Sequence, residues 1–220
     1  MQALISNKIK PTLWKVGDEI PLAPIIHEAT FLIRSGRVVV YPTETFYALG
    51  GLPSSKLAIK RIFEIKGRDS SKPLPLIASS REDVKKAVAR WPDTADKLAG
   101  AFWPGPLTLL LFASRELPPE LHLETGRIAI RISPHPVARA LAAAVGGLLI
   151  STSANISGQP AIADPDNLEP ALLSRIDGLI DAGKLTGQKP STIVDLSDGP
   201  PRLVRTGYIP WHEIEAVLHS

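Results

Sequence analysis

Amphipathic helical segments alternate with short β-branched apolar runs along almost the whole chain, and this alternation limits the fold more than any other feature. The segment PLAPIIHEATFLIRSG has the apolar spacing of a helix that ends at Gly36, and RVVVYP after it is typical of a buried strand bounded by Pro42. Because alternating helices and strands pack as layers around a sheet, the sequence predicts an α/β fold.

The same pattern predicts the rest of the element order. We expect helices over SKLAIKRIFEIK, REDVKKAVAR, DTADKLAGAF, PVARALAAAV, near NLEPALLSR, and over the closing WHEIEAVLHS. We expect strands over LPLIAS, LTLLLFA, RIAIRIS, GLLIST, and near GLIDAG, STIVDL and PRLVRTG. Several strands follow one another without a helix, so the sheet is expected to be mixed, and one three-layer α/β domain is the simplest result.

Composition excludes several classes of protein. No cysteine occurs, which excludes a disulfide framework and a thiolate nucleophile, and the five histidines lack metal-ligand spacing, so no protein-held metal is expected. A formal net charge of +3 is too small for a surface that coats nucleic acid, so any RNA binding should be weak and salt-sensitive. No segment has the pattern of a signal peptide or membrane span, which predicts a cytoplasmic protein with no membrane partner.

Four polar stretches adjoin the predicted strands, namely YPTETFYALGG, EIKGRDSSKPL, STSANISGQP and GQKPSTIVDL. A sheet brings such strand ends together at one crevice, where ligands usually bind. The stretch STSANISGQP follows the apolar run GLLI with six Ser, Thr, Asn or Gln residues among ten. It is either a ligand-binding loop or an ordinary polar turn in which Asn155 and Gly158 supply unusual backbone angles.

The stretch EIKGRDSSKPL carries three cations, Lys66, Arg68 and Lys72, within seven residues. They suit either a bound polyphosphate or a solvated basic helix end that the helix dipole favours. Neither the P-loop pattern GxxxxGK[ST] nor a GxGxxG after a strand occurs. A nucleotide would therefore be held by a different device.

Arg131 lies in the middle of a predicted strand, on the face opposite its isoleucines. If buried, it needs a partner, which is either a carboxylate of the protein or a substrate carboxylate held by two hydrogen bonds. Arg205 in RLVRTG presents the same choice. Glu44 in PTET is expected to brace its loop rather than act as a lone catalytic acid, and Trp103 is expected in the core rather than under a flat ring.

Taken in order, the motifs PTETFYALG, KGRDSSKPL, WPGPLT, RISPHP, STSANISG and PSTIVDL followed by VRTG resemble those of the YrdC-like threonylcarbamoyl-adenylate synthases. The resemblance runs from about Ala23 to Gly207. It implies a YrdC-like α/β domain over residues 23–220, with a twisted mixed sheet, flanking helices and a large basic cavity, after an N-terminal extension over residues 1–22. It also implies the short, single-domain branch of the family.

The activity implied by this resemblance is a nucleotidyl transfer. L-Threonine, bicarbonate and ATP give threonylcarbamoyl-AMP and pyrophosphate, with Mg²⁺ held mainly by phosphate oxygens. A tRNA-threonylcarbamoyl transferase complex downstream then modifies the adenosine beside the anticodon to threonylcarbamoyladenosine. Threonine, bicarbonate, ATP and that complex are therefore the expected partners.

The family's site residues map onto ten positions of this sequence. Those expected at ATP are Lys66 and Arg68 of the Lys-x-Arg motif, Ser153 and Asn155 of the Ser-x-Asn motif, Ala161, and Arg205. Those expected at threonine are Thr43, Arg131, Ser151 and Ser191. The resemblance makes Lys66 and Arg68 the expected catalytic residues, through their charge on the phosphates. Some members have a His that contacts threonine where this chain has Ile77, so that contact must be replaced or absent.

Two other functions stay open. One is an RNA-binding module with a basic concavity, although aromatic residues that could stack on bases make up 5% of the chain. The other is a carbamoyl-adenylate domain of the kind found in larger hydrogenase-maturation proteins, whose accompanying domains this chain lacks.

Overall fold

The computed structural model describes residues 10–17, 19–67, 73–122, 125–187 and 189–220. Within these ranges the helices are α1 (Leu22–Arg34), α2 (Lys56–Lys66), α3 (Arg81–Ala87), α4 (Asp93–Phe102), α5 (Pro119–His122), α6 (Pro136–Val145), α7 (Pro170–Leu173) and α8 (Trp211–His219). In the part of the chain so described, no helix has the length and hydropathy needed to cross a membrane.

The strands fall into two groups by their pairing. One group comprises β1 (Thr12–Lys15), β2 (Val39–Tyr41), β3 (Ala48–Gly50), β8 (Thr152–Ser153) and β9 (Gly178–Asp181). The other comprises β4 (Leu76–Ala78), β5 (Leu107–Phe112), β6 (Arg127–Arg131), β7 (Leu148–Ile150), β10 (Thr192–Asp195) and β11 (Arg202–Arg205).

Each group forms a mixed sheet. The first has the order β1-β9-β2-β3-β8, parallel from β1 to β2 and antiparallel from β2 to β8. The second has the order β11-β10-β5-β6-β4-β7, in which β10 with β5 and β4 with β6 are parallel and the other pairs are antiparallel. The predicted α/β class and mixed pairing are confirmed, but the strands divide into two sheets where the sequence predicted one.

The division occurs inside the run GLLIST, which the sequence predicted as a single strand. Its first half, β7, pairs with β4 in the second sheet, and its second half, β8, pairs with β3 in the first. Ser151 lies between the two halves, and its backbone N–H donates to the Pro75 carbonyl oxygen (2.8 Å). Local apolar patterning identifies an extended segment but not its partners, which is why the change of sheet was not predicted.

Strand β1 lies within the segment predicted as an N-terminal extension. It pairs in parallel with β9 from Thr12 opposite Gly178 to Lys15 opposite Asp181. The Trp14 side chain is buried, and its indole N–H donates to Glu28 Oε2 on α1 (2.8 Å). Residues 12–15 are therefore part of the first sheet, while the domain boundary after residue 22 stays a prediction.

The apolar core forms from the faces that the periodicity predicted. Helices α1 and α6 pack against each other through small and branched side chains such as Ala29, Ile33, Ala138 and Leu141, all of which are fully buried. Trp103 lies in the larger apolar cluster and donates its indole N–H to the Leu107 carbonyl oxygen (2.7 Å), so its predicted core position is confirmed. The apolar cluster around α1 and α6 and the larger cluster that contains Trp103 therefore pack against the two sheets and fix the positions from which the polar loops leave the strands.

Replacing Gly178 with alanine should disturb the packing of Trp14, and with it β1, on the first sheet. A Cβ at this position would lie 2.5 Å from Trp14 Cζ3, and the ring is held by Glu28 and by the core. We expect Gly178→Ala to lower the free energy of unfolding by about 1 to 3 kcal/mol, the usual cost of overpacking. Urea and thermal unfolding of the variant measure this loss.

Gly100→Ala is the matched control, since a Cβ at this exposed position of α4 would meet no atom within 4 Å. It should stabilise the protein by about 0.5 to 1 kcal/mol because alanine favours helix more than glycine does. Equal effects of the two substitutions would contradict the packing of Trp14 on Gly178.

Candidate functional site

A cavity of about 280 Å³ is lined by strands of both sheets. The first sheet contributes residues of β3 and β8, and the second contributes residues of β5, β6, β10 and β11. Seven of the predicted site residues line it: Thr43, Arg131, Ser151, Ser153, Ala161, Ser191 and Arg205. The structure therefore brings together residues from five separate polar or basic motifs.

Two of the remaining predicted residues contact this set, and one is not described. Lys66 and Asn155 hydrogen-bond with Ser153, as set out below. Arg68 lies outside the described residues, as does Lys72. Ile77, where the resemblance implied that the His contact of some members is replaced or absent, is fully buried in the apolar core with α6.

The loop between β2 and β3 forms one wall of the cavity and is shaped by Thr43. The Thr43 hydroxyl donates to the Phe46 carbonyl oxygen (2.7 Å) and accepts from the backbone N–H groups of Thr45 (3.2 Å) and Phe46 (3.3 Å). Such short side-chain bonds to the backbone favour a tight turn over regular structure. Thr43 and Thr45 are thereby fixed at the cavity wall.

Arg131 at the end of β6 has a carboxylate partner within the protein. Its Nε–H donates to Glu44 Oε1 (2.9 Å), and the Ser133 hydroxyl donates to Glu44 Oε2. The predicted bracing role of Glu44 is confirmed, since this contact ties the loop after β2 to β6. The two terminal nitrogens of Arg131 hydrogen-bond to no residue that the structure describes, and the side chain lines the cavity. The protein carboxylate thus occupies one edge of the guanidinium and leaves the other end for a second anion.

Ser151 presents a buried hydroxyl to the same cavity. Its Oγ has no hydrogen-bond partner among the described residues, although the residue is 4% exposed. The Tyr41 hydroxyl is a neighbour of Ser151, but it donates its own hydrogen to the Ile150 carbonyl oxygen (3.1 Å). An unsatisfied buried hydroxyl costs roughly 1 to 3 kcal/mol, so a polar ligand group at this point would be stabilised.

Arg205 enters the cavity from β11, the edge strand of the second sheet, whose four residues are all exposed. Its Nε and Nη2 donate to the Ser191 carbonyl oxygen (3.1 and 2.8 Å), and Nη2 also donates to Ser191 Oγ (3.0 Å). In the described part of the chain it forms no ion pair with a carboxylate. Although part of the residue is exposed, desolvation of the Arg205 guanidinium beside Ser191 and then the charge of Arg131 lower the pKa of Arg205 from its ordinary value. Two guanidinium groups at one cavity favour an anionic ligand.

Thr108 is a site residue that the sequence prediction missed. It is buried on β5, lines the cavity, and its Oγ1 lies 2.8 Å from Ser191 Oγ. It therefore helps to orient the same hydroxyl that accepts from Arg205. The available signal was a single threonine in the otherwise apolar strand LTLLLF, since a buried hydroxyl in such a run requires a partner.

Lys66 organises the loop after β8. Helix α2 ends at this residue because Gly67 adopts a left-handed conformation with φ of 54°. Lys66 is 2% exposed, and its Nζ donates to the carbonyl oxygens of Ser153 (2.5 Å) and Asn155 (2.8 Å) and to Asn155 Oδ1 (3.0 Å).

The Ser-x-Asn motif completes this arrangement through its own side chains. The Ser153 hydroxyl donates to Asn155 Oδ1 (2.5 Å), and Asn155 Nδ2 donates to the Gln159 carbonyl oxygen (2.5 Å). The loop is therefore folded around a buried ammonium group rather than being an ordinary turn. The predicted roles of Lys66, Ser153 and Asn155 at ATP stay predictions.

Comparison with known proteins identifies relatives over most of the chain. A model of the Sua5/YciO/YrdC family, described as telomere recombination, matches residues 31–207. The threonylcarbamoyl-AMP synthase of Pyrococcus abyssi is 37% identical over 193 residues, which are 88% of this chain and 57% of that protein. The threonylcarbamoyl-AMP synthase of Bacillus subtilis is 36% identical over 213 residues, which are 96% of this chain and 62% of that protein.

A solved structure agrees with the sequence comparisons. The crystal structure of Pyrococcus abyssi Sua5 complexed with L-threonine matches with a TM-score of 0.88 at 36% identity, covering 93% of this chain and 60% of that one. The chain thus spans about three fifths of the length of these relatives. The resemblance seen in the sequence motifs is confirmed, and the chain belongs to the Sua5/YciO/YrdC family.

Proposed function

We propose that this protein makes threonylcarbamoyl-AMP and pyrophosphate from L-threonine, bicarbonate and ATP. The observation that carries this proposal is the meeting of Arg131, Arg205 and the Ser151 hydroxyl, which has no partner among the described residues, at one cavity between two sheets. An amino acid has a carboxylate for a guanidinium and polar groups for a hydroxyl, and ATP has phosphates for the second cation. The names of the relatives and the threonine complex of one of them support the same substrates.

At the threonine end, the terminal nitrogens of Arg131 would bind the substrate carboxylate by two parallel hydrogen bonds. The Ser151 hydroxyl would satisfy its missing hydrogen bond with a polar group of the same substrate. Thr43 and Ser191, which line the cavity on either side, would limit its position. Holding threonine in one orientation serves the reaction because its amine must meet a small, weakly held second reactant.

The amine forms a C–N bond with bicarbonate, which loses water, or with CO₂, in which case the amine loses a proton, and either route gives a carbamate. A carbamate oxygen then attacks the α-phosphorus of ATP, forming a new P–O bond while the bond to pyrophosphate breaks. No covalent bond to the enzyme is required. Carbamate is labile in water, so the protein contributes by excluding solvent and fixing the two reactants in line.

At the ATP end, Lys66, Arg68 and Arg205 would stabilise negative charge on the phosphates. The nucleotide would be bound by Ser153, Asn155 and the backbone at Ala161. The part given to Arg68 rests on the Lys-x-Arg motif alone. Mg²⁺ would accompany ATP on phosphate oxygens and water, since the described residues contain no group of three His, Asp or Glu that could hold a metal ion. The product would pass to a transferase that modifies tRNA.

Pyrophosphate release should depend on threonine. With ATP, Mg²⁺ and labelled bicarbonate, we expect threonine to give both pyrophosphate and a labelled adenylate, and other amino acids to give much less. Omitting bicarbonate should abolish the labelled product. Failure of threonine to stimulate release, together with tight RNA binding at physiological salt, would favour an RNA-binding module instead.

Arg131→Ala should weaken threonine binding by roughly 2 to 5 kcal/mol and ATP binding much less, because it truncates one member of a buried charge pair. It should also lower the melting temperature, because Glu44 loses its partner. Arg131→Lys keeps a positive charge near Glu44 without the planar fork, so it should recover stability but only part of the threonine affinity. Calorimetric titrations and thermal melts measure both effects, and parallel losses of the two ligands in Arg131→Lys would contradict the assignment.

Lys66→Ala should weaken the binding of a non-hydrolysable ATP analogue and also lower the melting temperature. The stability loss follows because three acceptors of residues 153–155 lose the ammonium group that holds them. Lys60→Ala is the matched control on the same helix, since the Lys60 side chain is exposed and, among the residues that the structure describes, pairs with Glu64 alone, at 3.8 Å. Unchanged nucleotide affinity in Lys66→Ala would remove Lys66 from the ATP site.

A further inference from the structure

Glu44 lies directly behind the cavity wall, between Thr43 and Thr45, which both line it. Its side chain is 11% exposed and its partner Arg131 is 8% exposed, so the two charges meet almost out of contact with water. No site motif of the sequence assigned Glu44 more than a bracing role. Its contacts give it a more specific one.

Glu44 accepts a hydrogen bond from the Nε–H of the Arg131 guanidinium and none from its terminal nitrogens. A guanidinium carries five N–H donors, one on Nε and two on each terminal nitrogen. Glu44 Oε1 accepts from Nε at 2.9 Å, while Oε2 accepts from the Ser133 hydroxyl and not from the terminal nitrogens. The end of the fork that can bind a carboxylate bidentately is left available at the cavity.

The hydrogen bond from Arg131 to Glu44 also opposes the charge repulsion between Arg131 and Arg205. Among the described residues, Glu44 is the carboxylate paired with Arg131, and Arg205 is a like charge at the same cavity. Without Glu44, repulsion between the two guanidinium groups would favour conformers of Arg131 that point away from Arg205. A flexible side chain held at one nitrogen has fewer orientations to lose when it binds a ligand.

We propose that Glu44 is a positioning residue, which holds Arg131 by Nε and thereby aims its two terminal nitrogens at the carboxylate of the amino-acid substrate. This inference rests on the proposed function, since it names the group that orients the substrate-binding fork. Ser133 serves the same arrangement by fixing the second oxygen of Glu44.

The experiment compares Glu44→Ala and Glu44→Gln with the wild type in four measurements: the Kd for threonine, the Kd for a non-hydrolysable ATP analogue, kcat and KM for threonine, and the melting temperature. Glu44→Ala should raise the Kd and KM for threonine by about tenfold or more, because the fork is no longer aimed. The ATP-analogue Kd should stay within about twofold, and kcat at saturating threonine should fall much less than kcat/KM. Glu44→Gln keeps an acceptor for the Arg131 Nε–H, so it should recover part of the threonine affinity.

Asp177→Ala provides the matched control, because it also removes a largely buried carboxylate from an arginine, Arg61, at 2.6 Å. It should lower the melting temperature and leave both dissociation constants unchanged. If Glu44→Ala behaves like Asp177→Ala, or weakens both ligands in parallel, or is not partly rescued by glutamine, Glu44 is only structural and the inference is wrong. A wild-type protein that shows no threonine-dependent pyrophosphate release would overturn the proposed function itself, and this inference with it.

Discussion

The change of sheet at Ser151 is the constraint on which the site depends. Strands β7 and β8 are separated by this one residue, yet they pair with different sheets. The chain therefore binds the two sheets together at the point where the cavity forms, and the residues on either side cannot move apart without breaking pairs in both. No residue that the structure describes pairs with the Ser151 hydroxyl there, which a chain tolerates where a ligand can supply the missing bond.

The three cationic side chains near Ser151 hydrogen-bond to different kinds of acceptor. Lys66 is surrounded by carbonyl oxygens, Arg205 by Ser191, and Arg131 by one carboxylate. Carbonyl and hydroxyl oxygens satisfy hydrogen bonds without cancelling charge, whereas a carboxylate cancels it. At Arg205, which forms no ion pair with a carboxylate among the described residues, the cavity consequently retains an attraction for anions.

Helices with one buried apolar face could be predicted from the sequence. Strands that are extended only because they pair with neighbouring strands could not. The bounds predicted for α4 and α6 agree with the structure because their apolar stripes and flanking Pro and Gly residues are local signals. Strand β3 was missed because its residues resemble a loop and become extended only through β2 and β8. The motifs named most of the cavity's polar residues, but the bond between Glu44 and Arg131 joins positions 87 residues apart, and no local pattern reports such a pair.

Strand β11, which contributes Arg205 to the cavity wall, is more exposed than the other strands that line the cavity. Among the described strands it pairs with β10 alone, a β-bulge shifts its register between Leu203 and Arg205, and all four of its residues are exposed. Opening an edge strand of this kind breaks few buried contacts, so its amide protons exchange with water sooner than those of β5 and β6 in the sheet interior. Since Arg205 is part of β11, local unfolding of this one strand would displace Arg205 from the cavity wall, while Arg131 on the interior strand β6 would keep its place.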